Sequence, residues 1–326
     1  MEEVQVGHDE QGGEKKVKLV QELWEKAVRE VPREFLVPAE ERANAGLQKH
    51  NDEMMKTQPG FLPLIDLAGL LDPLSQAHTL HQIAVACKEW GFFQAVNHGI
   101  PQSIIEGARL ATRQFFELPM DEKLPYYVDN KKFNGLLGYG HTDFFQGVAT
   151  DWMDSLFGFL APESLKNIDL WPSQPQQLRS MVESYGIELQ RLFARLLVAI
   201  SKSLGKTDDH FEKEFQHYNL LFRANYYPPC PQPELVLGTH GHKDHGCLTI
   251  LLQDKDMDGL QVFKNGQWFS IDPTPNAVVI NIGDHLQTLT KGEYKSALHR
   301  GVVSNHQTIM TLVAHLDPPD LATLSI

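Results

Sequence analysis

The sequence predicts an α+β protein, with a helical N-terminal part and an all-β C-terminal part of sandwich or jelly-roll type. Three observations carry this. Apolar residues recur at helical spacing, most clearly over 174–204, where Leu178, Val182, Tyr185, Leu189, Leu192, Phe193, Leu196 and Ile200 form one wide stripe. After about residue 218 that period vanishes. Short runs rich in β-branched and aromatic residues replace it: LLFRANYY, ELVLGTHGHKDH, CLTILLQD, LQVFKNGQWFSID, AVVINIGD, ALHRGVVS and TIMTLVAHLD. Turn residues rather than helices separate these runs, and Asn265-Gly266 is a hairpin signal. Strands following one another without crossover helices pack as antiparallel sheets, not as a parallel α/β sheet.

Taken in order, residues 1–16 are polar, carry Gly12-Gly13 and are expected to be disordered. Residues 17–30 space Val17, Val20, Leu23, Trp24, Ala27 and Val28 as an amphipathic helix, stopped by Pro32 and Pro38. A polar linker over about 39–58 completes a first segment, 1–58. The second segment, 59–205, opens with LPLIDLAGLL as a strand running into a helix. A helix over 75–90 follows, then the strand FFQAVNH closed by Gly99 and Pro101, a helix over 102–118, the Gly- and aromatic-rich loop FNGLLGYGHTDFFQG and the long helix. The third segment, 206–326, holds the strands. No internal repeat and no low-complexity tract is visible.

Composition narrows the function classes. The 326 residues are 42% hydrophobic with a formal net charge of −13 and a pI near 5.6. So acidic a chain repels nucleic acid and anionic membranes, which leaves a small molecule or a protein as partner. The pairs Lys15-Lys16 and Lys131-Lys132 are short, flanked by acids, and read as solvated surface. Three cysteines, Cys87, Cys230 and Cys247, form no CxxC pair and no disulfide framework, which fits a reducing compartment. The N-terminus lacks an apolar signal core and no run is long enough to span a bilayer, so a soluble, cytoplasmic, monomeric protein is expected.

Chemistry enters through His-x-Asp. The pattern occurs at His50-Asp52, His141-Asp143, His242-Asp244 and His315-Asp317 among 15 histidines, so context must choose. On a strand, residues i and i+2 share a face, and His-x-Asp aims an imidazole and a carboxylate at one point. His50 lies in a polar linker, His141 in a Gly-rich loop, and His315 just before Pro318-Pro319. His242-Asp244 ends a strand, with Lys243 pointing away. His299, on a later strand, adds a third donor. Two histidines and one carboxylate with open positions opposite are the facial triad of non-haem Fe(II) oxygenases. The same residues are also compatible with a zinc site or with hydrogen-bonded core histidines.

From Leu62 to Pro318 the chain resembles the plant-type 2-oxoglutarate- and Fe(II)-dependent dioxygenases of specialised and hormone metabolism. The carrying motifs, in order, are LPLIDLAGLL, ACKEWGFFQAVNHGI, FFELPMDEK, DWMDSLFGFL, DLWP, NYYPPCPQPEL, LGTHGHKDHGCLTILLQD, GLQVFKNGQW, NIGDHLQTL and YKSALHR. The resemblance implies a double-stranded β-helix (jelly roll) behind a helical N-terminal domain. It implies His242, Asp244 and His299 as iron ligands, 2-oxoglutarate and O2 as cosubstrates, and ascorbate as a supporting reductant. The expected chemistry is hydroxylation, desaturation, demethylation or ring closure on a small metabolite. Tyr227 and its neighbour Asn225 match the family's cosubstrate tyrosine segment. By position, Ser155, Phe157, His315 and Asp317 match places that line the family's substrate pocket.

Two departures stand out. The family holds the far carboxylate of 2-oxoglutarate with Arg-x-Ser on a late strand, where this chain has Ile309 and Thr311. Thr311 keeps a hydroxyl, but Ile309 removes the guanidinium fork. Losing such a charge-assisted pair commonly costs ~2–5 kcal/mol. Three consequences are open: Arg223, which alternates with Asn225 and Tyr227, substitutes or serves the substrate side; another cosubstrate, or none, is used while iron is kept; or the scaffold has become a non-oxidative cyclase, condensing enzyme, isomerase or binding protein. The second departure is the C-terminus. The sequence stops at Ile326, soon after Pro318, where the family continues into a helix that helps cover the site. A more open mouth is the expectation if the tail is native.

Overall fold

Alternating inward residues on thirteen short strands build the core of the computed structural model, which describes residues 19–42, 47–48, 62–128, 137–140, 149–214, 217–254 and 259–319. The expected disordered start, both lysine pairs, His50-Asp52, His141-Asp143, most of the linker and the C-terminal residues from 320 lie outside these.

Before the first long helix come α1 (Val20–Glu25), β1 (Leu47–Gln48) and β2 (Leu64–Asp66). Then follow α2 (Gln76–Glu89), β3 (Phe92–Val96), α3 (Gln102–Phe116), α4 (Met120–Lys123), β4 (Leu137–Gly140), β5 (Asp154–Ala161), α5 (Leu178–Ser203) and α6 (His210–Glu214). The C-terminal part carries β6 (Asn219–Tyr227), β7 (Thr239–His242), β8 (Leu248–Leu252), β9 (Leu260–Lys264), β10 (Gln267–Ile271), β11 (Val278–Ile282), α7 (Asp284–Leu289), β12 (His299–Gly301) and β13 (Ile309–Asp317).

Two sheets form. One runs β1-β10-β9-β12-β7, the other β2-β3-β11-β8-β13-β6-β5-β4. Strands from both the second and third segments therefore share the larger sheet. Its backbone is the antiparallel pairing of β13 with β6, in register from Ile309 opposite Tyr227 to Asp317 opposite Asn219. One face of this sheet is apolar. Leu220, Phe222, Ala224, Ile250, Leu312 and Ala314 join Leu189, Phe193, Leu196 and Ile200 of α5 in the main core cluster. The period-2 alternation turns Arg223, Asn225, Tyr227, Thr311, Val313 and His315 to the other face, towards the smaller sheet.

Three expectations need correction. The helix over 17–30 is only α1, because the chain turns at Lys26 and at Ala27, whose φ is +49°. Val20, Leu23 and Val31 still reach one small cluster with Phe35 and Trp152, but by a bent path, and Trp24 is left half exposed. The run 234–245 is mostly loop, with only Thr239–His242 as strand. A short helix, α7, interrupts the strand series after Gly283. The hairpin signal performs as read: Asn265 and Gly266 have φ of 51° and 82°, the left-handed pair that a tight β9–β10 turn requires. Among the described residues no helix is long and apolar enough to cross a membrane.

Candidate metal centre and its cavity

Cross-strand pairing assembles the centre. β12 lies antiparallel to β7 with His299 directly opposite His242, and their rings stand 4.2 Å apart. Asp244 follows two residues after β7, in the turn leading to β8. That turn is clamped by the start of α7. The Asp284 N–H donates to the Asp244 carbonyl at 2.7 Å, and the Gly283 N–H to the Cys247 carbonyl at 2.9 Å. Gly283 is required there, since a Cβ would lie 2.1 Å from the Gly246 carbonyl oxygen.

The carboxylate oxygen Asp244 Oδ1 lies 3.6 Å from the Nε2 atoms of both His242 and His299. One donor atom from each residue falls within a 4.8 Å cluster. The remaining polar atoms of the three side chains are already engaged. His242 Nδ1 donates to the His240 carbonyl at 2.7 Å and His299 Nδ1 to the Ala297 carbonyl at 3.1 Å. With the proton on Nδ1, each ring turns a lone pair on Nε2 toward the third ligand. Asp244 Oδ2 accepts from Thr249 Oγ1 and from Asn281 Nδ2 at 2.7 Å, leaving Oδ1 for a metal. Phe92 packs edge-on against His299.

The electrostatics agree. Burial works to raise the Asp244 carboxyl, but the facing histidines outweigh it and hold it well below the usual carboxylate range. Burial, reinforced by His242, holds His299 at about 4, so its ring is neutral at physiological pH. Burial also opposes charging of His242, yet the hydrogen bond and charge of Asp244 raise it. Asp244 and His299 are thus in the states a divalent metal needs, an ionised carboxylate and a neutral Nε2 donor, while a metal must displace the proton that Asp244 favours on His242. Imidazole and carboxylate ligands suit iron, and among the described residues no thiolate joins the cluster. The residues present therefore fit the ion.

From this centre a cavity of about 320 Å³ extends between the sheets, at the lower end of the ~300–1,000 Å³ range of small-molecule sites. Phe157, Arg223, Asn225, Tyr227, Thr311, His315 and Asp317 all line it, together with His242, Asp244 and His299. Ser155 does not. Its buried hydroxyl donates to Asn225 Oδ1 at 2.8 Å and accepts from Arg223 Nε at 3.3 Å, so it orients two cavity residues. His315 Nδ1 lies 3.2 Å from Thr249 Oγ1. Because that hydroxyl donates to Asp244, it must accept from His315, which links His315 to the metal carboxylate. Burial, with the Asp244 charge adding to it, pushes Asp317 up to about 7. Burial lowers Arg223 to about 10, which leaves it cationic at neutral pH.

Sequence reading missed Thr249, Asn281, Thr239, Met153 and Asp151. Asn281 had a signal, being one amide inside the apolar strand AVVINI, and Thr249 sits at an inward position of LTILL. Met153 and Thr239 had none, because their place in the cavity depends on how the strands cross.

Two ring nitrogens and a carboxylate oxygen beside an open cavity match the donor set of a non-haem iron oxygenase centre. Comparison with known proteins agrees. The profile of the 2OG-Fe(II) oxygenase superfamily matches residues 218–315, and that of the non-haem dioxygenase in morphine synthesis, N-terminal, matches residues 62–174. Jasmonate-induced oxygenase 2 of Arabidopsis thaliana is 36% identical over 304 residues, 92% of this chain and 79% of that protein. Oxoglutarate-dependent flavonoid 7-O-demethylase 1 of Ocimum basilicum is 35% identical over 273 residues, 83% of this chain and 73% of that protein. The crystal structure of JOX2 in complex with 2OG, Fe and JA is similar with a TM-score of 0.82 at 35% identity, covering 93% of this chain and 84% of that one. The chain belongs to the 2OG-Fe(II) oxygenase superfamily. It is a non-haem dioxygenase of the Fe(II)- and 2-oxoglutarate-dependent kind, of the group that oxidises small metabolites and hormones.

Proposed function

We propose that His242, Asp244 and His299 hold the iron, and that the substrate is a small, largely apolar molecule with one anionic or hydrogen-bond-accepting group directed at Arg223. The observation that carries this is the donor arrangement: three ligand atoms converge while every other polar atom of those side chains has a partner. Held there, iron supplies the site with oxygen activation and chelation of a 2-oxo acid.

The chain's own residues do the rest. Asn281 and Thr249 fix which oxygen of Asp244 faces the metal. The backbone carbonyls of His240 and Ala297 fix the imidazole tautomers. Phe157, Phe159, Leu221 and Val313 give the cavity an apolar wall, which excludes water and fits an uncharged carbon skeleton. Arg223, half-buried between Phe157 on β5 and Val313 on β13, gives that wall a cationic point for orientation. Asn225, Tyr227 and Thr311 line the part where the family binds its cosubstrate. His315 and Asp317 face the same cavity near Asp244 and are assigned to the substrate side.

The buried free thiols and the net charge of −13 support a cytoplasmic enzyme acting on small molecules rather than nucleic acid or membrane; we assign it as a monomer. The test is product formation. Full-length protein with Fe(II), ascorbate and a 2-oxo acid is offered small apolar acids and their neutral methyl esters. The expected outcome is an oxidised product from acids, lost with His299→Ala and reduced with Arg223→Gln through KM. Equal turnover of acids and esters would remove the role of Arg223. Absence of any iron-dependent product across such a set would sink the substrate class.

A further inference from the structure

The cavity end that faces away from Asp317 is apolar where the family places a cation. Ile309 is 2% exposed and packs with Met153, Tyr227 and Val303. It stands directly opposite Tyr227, whereas Arg223 stands opposite Val313. Four residues of strand separate the two positions, roughly 13 Å. Arg223 Nε is turned to Ser155 rather than along the strand to Ile309. Arg300 also borders the cavity but is held elsewhere: Nε donates to Gln261 Oε1 at 2.8 Å, Nη1 to the Glu41 carbonyl at 3.0 Å, and its guanidinium covers Trp268. Lys243 lies in the metal loop, and Asp151 adds a carboxylate to the lining.

What the Ile309 end does offer is hydroxyls. Tyr227 Oη and Thr239 Oγ1 are 3.2 Å apart, and Thr239 Oγ1 lies 3.8 Å from Met153 Sδ. Thr311 Oγ1 is buried without a hydrogen bond of proper geometry. Neutral donors beside an isoleucine and a methionine suit a tail that is uncharged. Among the described residues, a carboxylate there would be desolvated with no adjacent cation.

We propose that this end of the cavity selects 2-oxo acids with an uncharged, aliphatic far end, and that the chain binds such an acid, for example 4-methyl-2-oxopentanoate, more tightly than 2-oxoglutarate. The iron-chelating end of the molecule is common to both, so the preference comes from the tail alone. Turnover balances in the same way. The 2-oxo acid loses CO2 and becomes the carboxylic acid one carbon shorter, 3-methylbutanoate in this example. One oxygen of O2 enters that acid and the other enters the organic substrate.

This inference rests on the iron-and-2-oxo-acid reading above. The test is binding, not activity. Full-length protein loaded anaerobically with Fe(II) is titrated with each 2-oxo acid, following the visible charge-transfer band of the chelate. The expected result is at least a tenfold lower Kd for 4-methyl-2-oxopentanoate than for 2-oxoglutarate. In Ile309→Arg, 2-oxoglutarate should tighten by roughly 30-fold or more, the scale of one charge-assisted pair, and the order should reverse. Equal affinities, or tighter 2-oxoglutarate, in the wild-type chain overturn the preference whether or not that variant folds. Arg223→Gln that weakens 2-oxoglutarate alone identifies Arg223 as its anchor and likewise overturns it. No band with either 2-oxo acid, while Fe(II) is still retained in equilibrium dialysis, sinks the underlying reading instead.

Discussion

The two ends of the cavity are built on different principles. At the metal end, each polar atom not aimed at the ion is tied down: Nδ1 of both histidines by backbone carbonyls, Oδ2 of Asp244 by Thr249 and Asn281. At the Ile309 end, Ile309, Met153 and Val303 supply carbon and sulfur, and the polar atoms nearby are the neutral hydroxyls of Tyr227, Thr239 and Thr311. The first arrangement has one job and little tolerance. The second is a neutral surface whose preference depends on what fills it. The difference teaches that the two ends can vary largely separately: the ligand cluster lies on β7, β12 and the turn after β7, Ile309 and Tyr227 lie on β13 and β6, and Thr239 of β7 is the residue that joins them.

The sharpest way to break this comparison is at Asp244. Asp244→Ala removes a ligand and leaves Thr249 and Asn281 facing a void. Metal affinity should fall by more than the ~10–100-fold typical of outer-sphere changes, and turnover should vanish. Isothermal calorimetry with Mn(II) in place of Fe(II) reads the loss. Metal retained at near wild-type affinity would mean that the ligand set is wrong.

A second effect concerns the charge crowded around that end. Burial, then the Asp244 charge, pushes Asp317 up to about 7. A carboxyl whose folded pKa is raised contributes stability that is fully present below its unfolded pKa near 4 and is lost as pH rises through 7. In metal-free protein, Asp317→Asn should therefore be more stable than wild type at pH 8 and show no advantage at pH 4. The gap has an upper bound of ~4 kcal/mol. Thermal melts in chelator at several pH values check it. The low pKa of His299 acts in the opposite direction, its contribution falling away as pH drops from about 6.5 towards 4. It is common to both proteins and cancels in the difference. A gap that does not widen with pH would show that Asp317 is not strained as a buried carboxylate.

The third test is Asn281→Ala, which takes away one of the two donors on Asp244 Oδ2. Metal binding should weaken by ~10–100-fold, while the ranking of 2-oxo acids on the remaining iron-loaded protein stays as it was. A changed ranking would show that the two ends communicate.

How much of this was legible in the sequence follows from the same contrast. The cluster of His242, Asp244 and His299 was legible because i, i+2 spacing at a strand end brings His242 and Asp244 to one point and because His299 stands on a later strand, a set that the resemblance also implied. The alternation of Arg223, Asn225 and Tyr227, and of Ile309, Thr311 and Val313, put the right residues on the cavity face for the same reason. Ser155 was misjudged because its neighbours, not its strand phase, decide where its hydroxyl goes. Met153, Thr239 and Val303 could not be paired with Ile309 from sequence, since their meeting depends on how loops and two sheets close over one another. The shortened α1 has a local cause that the apolar spacing hid: the left-handed turn at Ala27 redirects Val28 and Val31 to the same small core by another route.

The smallest expected effect is also the cleanest probe of independence. Ile309→Val deletes a single methyl group from a side chain that is 2% exposed and packed against Met153, Tyr227 and Val303. Such a deletion typically costs about 0.5–1.5 kcal/mol of stability, seen as a small drop in the denaturant midpoint at unchanged slope. It also widens the Ile309 end by one methyl group without adding polarity. Binding of 4-methyl-2-oxopentanoate should weaken a few-fold, that of 2-oxoglutarate should hardly move, and Mn(II) affinity should be unchanged. If metal affinity fell as well, packing at Ile309 would have to reach His242 and His299 through β7 and β12, and the two ends would be one unit after all.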